Sequence, residues 1–497
     1  MRNETIIVNG KKLKWLFVER GFKIPSFNYE IKTDAVGGRA GSVFKSKQLS
    51  EYRFDLPLVI HNDFLSHSGI KSHDDVLSEL VKFFDYDEAV KLQLKSKKWY
   101  WNAYFEGPLE INNKAENNIN VVTVKVVLTD PYKYTIDGNQ NTAISDAVSV
   151  VNAGTAETPI IVEARALQNS NYYMISKGDE DYFMIGDDDL DKPLKDYSPN
   201  ILSDEFKSFA GWTKVSSGQV QDTIFGGTVG GSFKLEKNKE GFEINNFPEG
   251  NGWIGAQYKR GFSKALKDFK VIVKGIVYQK SKGAGKIAYH IYDTDNRLLA
   301  TLGYINSSGG APNGKFIFNL FNQSGDEVKI LEASNVPMVN KIDTLIIYMS
   351  LERIGDTFRL KTWLFNHEKD PNRTKPLQIV NKTYQDKGNF YQRPVSSISV
   401  YEAKNTKSNK MMKMHALGIY LFEKLPKPVG ARDMIIKKGD LIQINTATKS
   451  VVVNEESFLS EKTFGSDWIN VDKGHTELVI NPPSIFDTTV KWQDRYL

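Results

Sequence analysis

The 497-residue chain contains no cysteine, which excludes disulfides and thiol chemistry and agrees with folding in a reducing cytoplasm. Long apolar runs are also missing. A stretch such as Leu345-Ile346-Ile347-Tyr348-Met349 is far shorter than the roughly 20 residues of a bilayer-spanning helix, so no membrane insertion is expected. The opening Met1-Arg2-Asn3-Glu4-Thr5-Ile6-Ile7 runs into Lys11, Lys12 and Lys14 without an apolar segment, and no export signal is expected there.

Reactive constellations are equally scarce. Glycan hydrolysis needs two carboxylates flanking the scissile bond. The nearest approach to Glu-x-Asp-x-x-Glu is Glu368-Lys369-Asp370 with Arg373 in the place of the second Glu, so no catalytic residue is assigned and the chain is not expected to be an enzyme. His61, His67 and His73 lie six apart, wider than zinc sites favour. Asp187, Asp189 and Asp191 alternate like the start of a calcium loop, but Lys192 stands where glycine belongs and no bidentate Glu follows. Gly283-Ala284-Gly285-Lys286 lacks the upstream glycine and following Ser/Thr of a phosphate loop. Neither a metal nor a cofactor is expected, and no specific nucleic acid.

What is present is strand material. The 22 Tyr, 28 Phe and 8 Trp, with many β-branched residues, favour sheets over helices, and the length calls for two to four domains. Phe27 to Lys32 alternates apolar and polar, Tyr52 to Leu58 repeats the pattern, and Gly37-Gly38-Arg39-Ala40-Gly41 lies between them. Both strands are expected to turn their apolar sides the same way. Ser72-His73-Asp74-Asp75 resembles a helix cap, and Val76, Leu77, Leu80, Phe83 and Phe84 follow at helical spacing. Period two returns at Val90, at Trp99 to Phe105 and at Val122 to Leu128. Tyr172-Tyr173-Met174-Ile175 and Tyr182-Phe183-Met184-Ile185 are near copies around Lys177-Gly178-Asp179 and read as a hairpin. Strands of the same type resume only at Leu441, Val451, Leu478 and Val490.

Between them lies a long β-rich block of different charge. Residues 201–428 hold 33 basic and 21 acidic side chains, whereas 135–200 hold 4 and 12. Such asymmetry bears on partners rather than fold. Asn251-Gly252-Trp253 and Gln257-Tyr258-Lys259-Arg260 combine aromatics with cations, which suits an anionic sugar polymer. Trp253, Tyr258, Lys259, Arg260, Tyr292 and Trp363 are the candidate ligand-binding residues. For the four aromatics, packing in a core is the competing reading.

The early strand pair around Gly38, Arg39 and Gly41, the short helix, the aromatic strand Trp99-Tyr100-Trp101 and Asp130-Pro131-Tyr132 occur in one order. At the other end stand Lys438-Gly439-Asp440, Asn454, Gly474 and the terminal Arg495-Tyr496-Leu497. Together these resemble the distal tail proteins of long, non-contractile phage tails. The resemblance covers residues 1–200 and 430–497. His475 departs from it, where a small polar residue such as Asn would be expected.

The resemblance implies a mostly β fold with three parts. Residues 1–134 would be an N-terminal belt or barrel with one helix. Residues 135–200 and 430–497 would form a galectin-like β-sandwich, split by an inserted jelly roll at 201–429 whose strand rhythm resembles concanavalin-like domains. It further implies a homo-hexameric ring at the tail tip of the virion, in the baseplate region. Its partners would be the tail tube protein and a tail-tip or tail-associated lysin protein. Gly38, Arg39, Gly41, Trp99 and Trp101 are expected near subunit contacts, with core packing the competing reading for the two tryptophans. The insert would bind host cell-wall polysaccharide such as teichoic acid. A tail depolymerase that cuts the same polymer is the alternative.

Overall fold

The structure is a computed structural model that describes the chain except residues 1–3, 27, 39, 62–72, 115–118, 179, 193 and 239. The fold is mostly β, and one α-helix, His73–Phe84, occurs among the described residues. Three large apolar clusters, each with its own sheets, account for most of the buried side chains.

The first sheet runs Ile6–Val8, Val90–Leu94, Trp99–Glu106, Ile119–Leu128, Tyr52–His61, Leu16–Val18. Its outer strands approach each other, since the Val18 amide donates to the Glu4 carbonyl at 2.9 Å and Thr5 Oγ1 to the Leu16 carbonyl at 2.8 Å. The sheet therefore curls into a barrel-like form, which protects edges that would otherwise be open. The helix lays Val76, Leu80, Phe83 and Phe84 against Leu56, Leu58, Trp101 and Val124, as its apolar spacing predicts.

The N-terminal strands differ from the expected pair in one respect. Tyr29–Ala35 pairs with Ser42–Leu49, not with the sheet, and Tyr52–His61 pairs with Ile119–Leu128 instead. The hairpin stands as a two-stranded sheet with Ile31 and Phe44 61% and 63% exposed. Alternation reports only the period of a strand; it does not report what covers either face. Phe27 and Arg39 lie outside the described residues.

The second cluster belongs to a sandwich of two sheets. One holds Asn139–Thr142, Phe486–Trp492, Thr158–Ala166, Leu441–Asn445, Ser450–Val453 and Glu456–Ser457; the other holds Ala147–Asn152, Gly474–Asn481, Tyr172–Lys177 and Asp181–Gly186. Strands from both sides of the long block thus alternate within each sheet, and Val162, Tyr173 and Phe183 share an interior with Ile444, Leu478 and Val490. The expected hairpin is present, with Lys177 opposite Asp181 and Gly178 at φ 68°. The terminal Arg495–Tyr496 leaves the sandwich to pair with Lys133–Thr135, which also pairs with Trp99–Glu106. The two bodies are sewn together by this strand.

The third and largest cluster fills the block that interrupts the sandwich. One sheet runs Ser232–Leu235, Phe242–Asn246, Lys413–Glu423, Phe269–Tyr278, Thr344–Ile354, Thr357–Asn366, Gln378–Gln385. The other runs Gly218–Val220, Gly227–Val229, Trp253–Leu266, Val395–Asn405, Gly285–Asp293, Leu298–Asn306, Lys315–Phe321, Glu327–Ser334. Asn200–Asp204 and Lys413–Glu423 are antiparallel neighbours, so the block begins and ends side by side, as a body inserted into a loop must.

Candidate ligand-binding face

Alternation decides which side chains of the second sheet look inward. Ile287, Tyr289, Ile291, Ile398 and Val400 enter the core between the sheets, so their neighbours Lys286, His290, Tyr292, Ser399 and Tyr401 point to the opposite face. Strand register then aligns residues far apart in sequence. Lys259 stands opposite Ser399, Ser399 opposite His290, His290 opposite Thr301, and Thr301 opposite Asn319. A polar row therefore crosses five strands of an otherwise apolar sheet. Ser399, His290 and Thr301 are fully buried and Asn319 is 1% exposed.

The row is buried because the chain covers it with its own segment. Phe225 packs on Ala288, Ile305 and Ile317 and lies so close over Gly303 that a Cβ there would sit 2.3 Å from its ring. Asp222 holds the segment's turn by accepting from the amides of Ile224 and Phe225 at 2.8 and 2.6 Å. Lys286 Nζ pins the segment from below, donating to the carbonyls of Ile224 and Gly226 at 2.7 and 2.6 Å, and lies 4.2 Å from the centre of the Trp253 ring. Glu327 accepts from the Thr223 amide and from Asn319 Nδ2.

This burial changes the chemistry of the cations. Desolvation lowers the Lys286 ammonium from its ordinary value to about 7, against the opposing pull of Asp222. His290 falls to about 4 for the same reason and stays neutral at physiological pH. At the open end of the row, Gln257 Nε2 donates to Ser399 Oγ at 2.9 Å and to Tyr292 Oη at 3.1 Å. Lys259 Nζ sits 3.6 Å over the Tyr292 ring and bonds Asn296 Oδ1. Burial depresses its pKa as well. A half-buried tyrosine capped by a lysine, beside fixed amide and hydroxyl groups, offers stacking, charge and hydrogen bonds together.

Of the six candidates, the structure brings Trp253, Lys259 and Tyr292 to this face. Tyr258 turns the other way and packs on Phe209 and Phe233 in the core. Arg260 ion-pairs with Asp204 at the edge of a shallow hollow lined by Ser203, Glu205 and Lys207. Trp363 is 3% exposed on the outer face of the opposite sheet, stacked on Tyr348 at 4.9 Å. Trp363 is enclosed between Tyr348 and the Glu455 turn, whereas Tyr258 packs against the core as a partly buried ring. Sequence reasoning missed Gln257, His290, Thr301, Asn319 and Ser399. Polar residues at every second position of a strand carried that signal locally, but only register joins them.

At the other end of the chain, Gly38 and Gly41 form the exposed turn of the Tyr29–Leu49 hairpin, with φ of 80° and 82°. Trp101 is 1% exposed inside the barrel-like sheet against Phe54, which takes it away from a subunit contact. Trp99 packs edge-on against Trp101 and stays partly exposed. No group of three or more His, Asp or Glu suited to a metal occurs among the described residues; His67 lies outside them. No described helix is long and apolar enough to cross a membrane.

A split sandwich, joined to a barrel-like sheet and carrying a second sandwich in one of its loops, defines a mostly β protein with an inserted β-sandwich body. Residues 433–496, the C-terminal strands of the split sandwich, match the siphovirus-type tail component, C-terminal domain. Over those residues the chain is similar to this family of phage tail components. No curated protein matches. Among solved structures, similarity extends to the Dit protein of phage SPP1, with 15% identity over 37% of this chain and 75% of that one, at a TM-score of 0.31. The carbohydrate-binding module CBM2 of the evolved Dit of Lactobacillus casei BL23 phage J-1 matches with 12% identity over 47% of this chain and 99% of that one, at 0.35. A galectin-like protein of Bacillus subtilis matches with 8% identity over 46% and 97%, at 0.28.

Proposed function

We propose that the chain is a hub subunit at the phage tail tip, six copies closing into a ring, and that its insert adheres to polysaccharide of the host cell wall. The observation that carries the hub reading is the family match over residues 433–496, whose last strand is hydrogen-bonded into the N-terminal sheet. On this reading residues 1–134 are the ring-forming belt, 135–200 with 430–497 the galectin-like sandwich, and 201–429 the displayed module. The exposed hairpin around Gly38 and Gly41, with Ile31, Val36 and Phe44 open to solvent, supplies apolar surface for a neighbouring copy. A head-to-tail contact whose rotation closes yields a ring. The tail tube protein and a tail-tip or tail-associated lysin protein would bind on either side of it.

For adhesion, the open end of the polar row is the proposed contact, with Trp253, Lys259 and Tyr292 joined by Gln257. The insert's excess of basic residues favours an anionic polymer such as teichoic acid. Deleting residues 201–428 should abolish wall binding in a sedimentation assay while negative-stain images still show six-fold rings. Undiminished binding would refute the adhesive role, and the absence of rings at high concentration would count against the hub. Asp222 and Glu327, both near Asn319 Nδ2, form the pair a depolymerase would require, but Asp222 is committed to backbone amides. New reducing ends released from host wall by the full chain would favour that alternative.

A further inference from the structure

The outer face of the insert's first sheet is covered by a two-residue turn of the split sandwich. Register places Lys274, Tyr348 and Trp363 side by side across three strands, with Lys361 and Lys270 in the following rows of the same face. Onto this surface comes the turn between Ser450–Val453 and Glu456–Ser457, whose central residues are Asn454 and Glu455. Glu455 forms an ion pair with Lys274 at 2.7 Å, and its carbonyl accepts from Trp363 Nε1 at 3.3 Å. Glu456 lies between Lys270 and Lys361, at 3.1 and 3.0 Å.

Two features separate this contact from an incidental surface pairing. Asn454 and Glu455 both have left-handed backbones, φ 49° and 66°, a turn that strongly prefers glycine at its second position. A glutamate there is strained by its own Cβ, yet only a long acidic side chain reaches Lys274. Secondly, burial pushes the Glu456 carboxyl up, but the two lysines more than offset it and leave it below its ordinary value. Removing one partner from so enclosed a group is costly.

Among the described residues, the crossing segments form the other junction between the two bodies. There Leu194–Lys195 lies parallel to Arg432–Asp433, the Leu425 amide donates to the Tyr197 carbonyl at 2.9 Å, and Lys424 Nζ donates to Ser198 Oγ at 2.9 Å. We infer that the Asn454–Glu456 turn is an electrostatic latch which fixes the inserted body on the sandwich, and that the crossing segments become a hinge once it is released. The device depends on no ligand and does not rest on the tail-tip reading.

The absence of cysteine makes the test direct, since two introduced cysteines are the sole labelling sites. Spin labels at Lys382→Cys and Glu477→Cys, both exposed positions on the two bodies, report their separation by pulsed dipolar spectroscopy on the full chain. The parent should give one narrow distance distribution, and the isosteric pair Glu455→Gln with Glu456→Gln should at least double its width. Glu456→Lys should broaden it further, and adding Lys270→Glu and Lys361→Glu should narrow it again, an outcome that a folding defect does not produce. An unchanged width in the glutamine pair, with circular dichroism as in the parent, would overturn the latch. So would a charge swap that leaves the distribution broad.

Discussion

The contact between Phe225 and Gly303 provides a sharp test of how the polar face is covered. Phe225 is fully buried over Ala288, Ile305 and Ile317, so Phe225→Ala should cost about 3–5 kcal/mol, the range for emptying an aromatic from a core. Gly303 lies within the strand Leu298–Asn306, and no left-handed backbone forbids a side chain there. Its added methyl would nevertheless meet three ring carbons of Phe225 at 2.3 to 2.6 Å, an overlap that neither partner relieves without moving. Gly303→Ala alone should therefore destabilise by about 1–3 kcal/mol. In the Phe225→Ala background the methyl enters vacated space, so the double variant should be no less stable than Phe225→Ala itself. The expected coupling is about 1–3 kcal/mol in favour of the double variant, well above the roughly 0.5 kcal/mol scatter of independent sites. Denaturant unfolding followed by tryptophan fluorescence measures all four corners of the cycle. Strictly additive costs would show that Phe225 does not sit on Gly303, and the account of the covered face would fail.

Three further outcomes follow from buried charge. Lys286 has its folded pKa lowered to about 7, so between pH 7 and its ordinary 10.5 the unfolded chain binds the extra proton. Stability should rise with pH across that window by up to about 1.4 kcal/mol per unit, and Lys286→Met should remove this contribution from the pH-dependent unfolding curve. Glu402 is fully buried, accepts only from the Ala416 amide at 2.9 Å, and has its pKa raised by burial well above 4.5. It therefore favours folding below that pH and loses the advantage as pH rises, so Glu402→Gln should melt higher than wild type at pH 7 and converge with it in acid. Arg353, fully buried, donates to the carbonyls of Tyr391 and Arg393 at 3.2 and 2.7 Å and to that of Lys267. Arg353→Met strands these acceptors and should cost about 3 kcal/mol in a chemical unfolding titration.

Much of the architecture was legible locally. The period-two run at Val122 to Leu128 put Val122, Val124, Val126 and Leu128 inside, the near copies at Tyr172 and Tyr182 formed the hairpin as read, and the helical spacing of Val76, Leu80 and Phe84 buried the helix. A strand's side chains are sorted by the two-residue repeat of its own backbone, so sequence alone decides which of them share a face. It also determined the charge of the inserted block and the absence of thiol chemistry, since both are sums over residues.

Only the tertiary structure decided which faces are covered and which residues meet. The hairpin after Tyr29 has the same alternation as a buried strand, yet Ile31 and Phe44 on it are exposed among the described residues. Lys259, His290, Thr301, Asn319 and Ser399 form one row through four registers. Register is set by hydrogen bonding and burial between distant segments, and it leaves no mark in any one of them. Trp363 showed the same limit. It was a candidate sugar platform in sequence, and its place beneath Glu455 was settled by a turn that the chain reaches only 92 residues later.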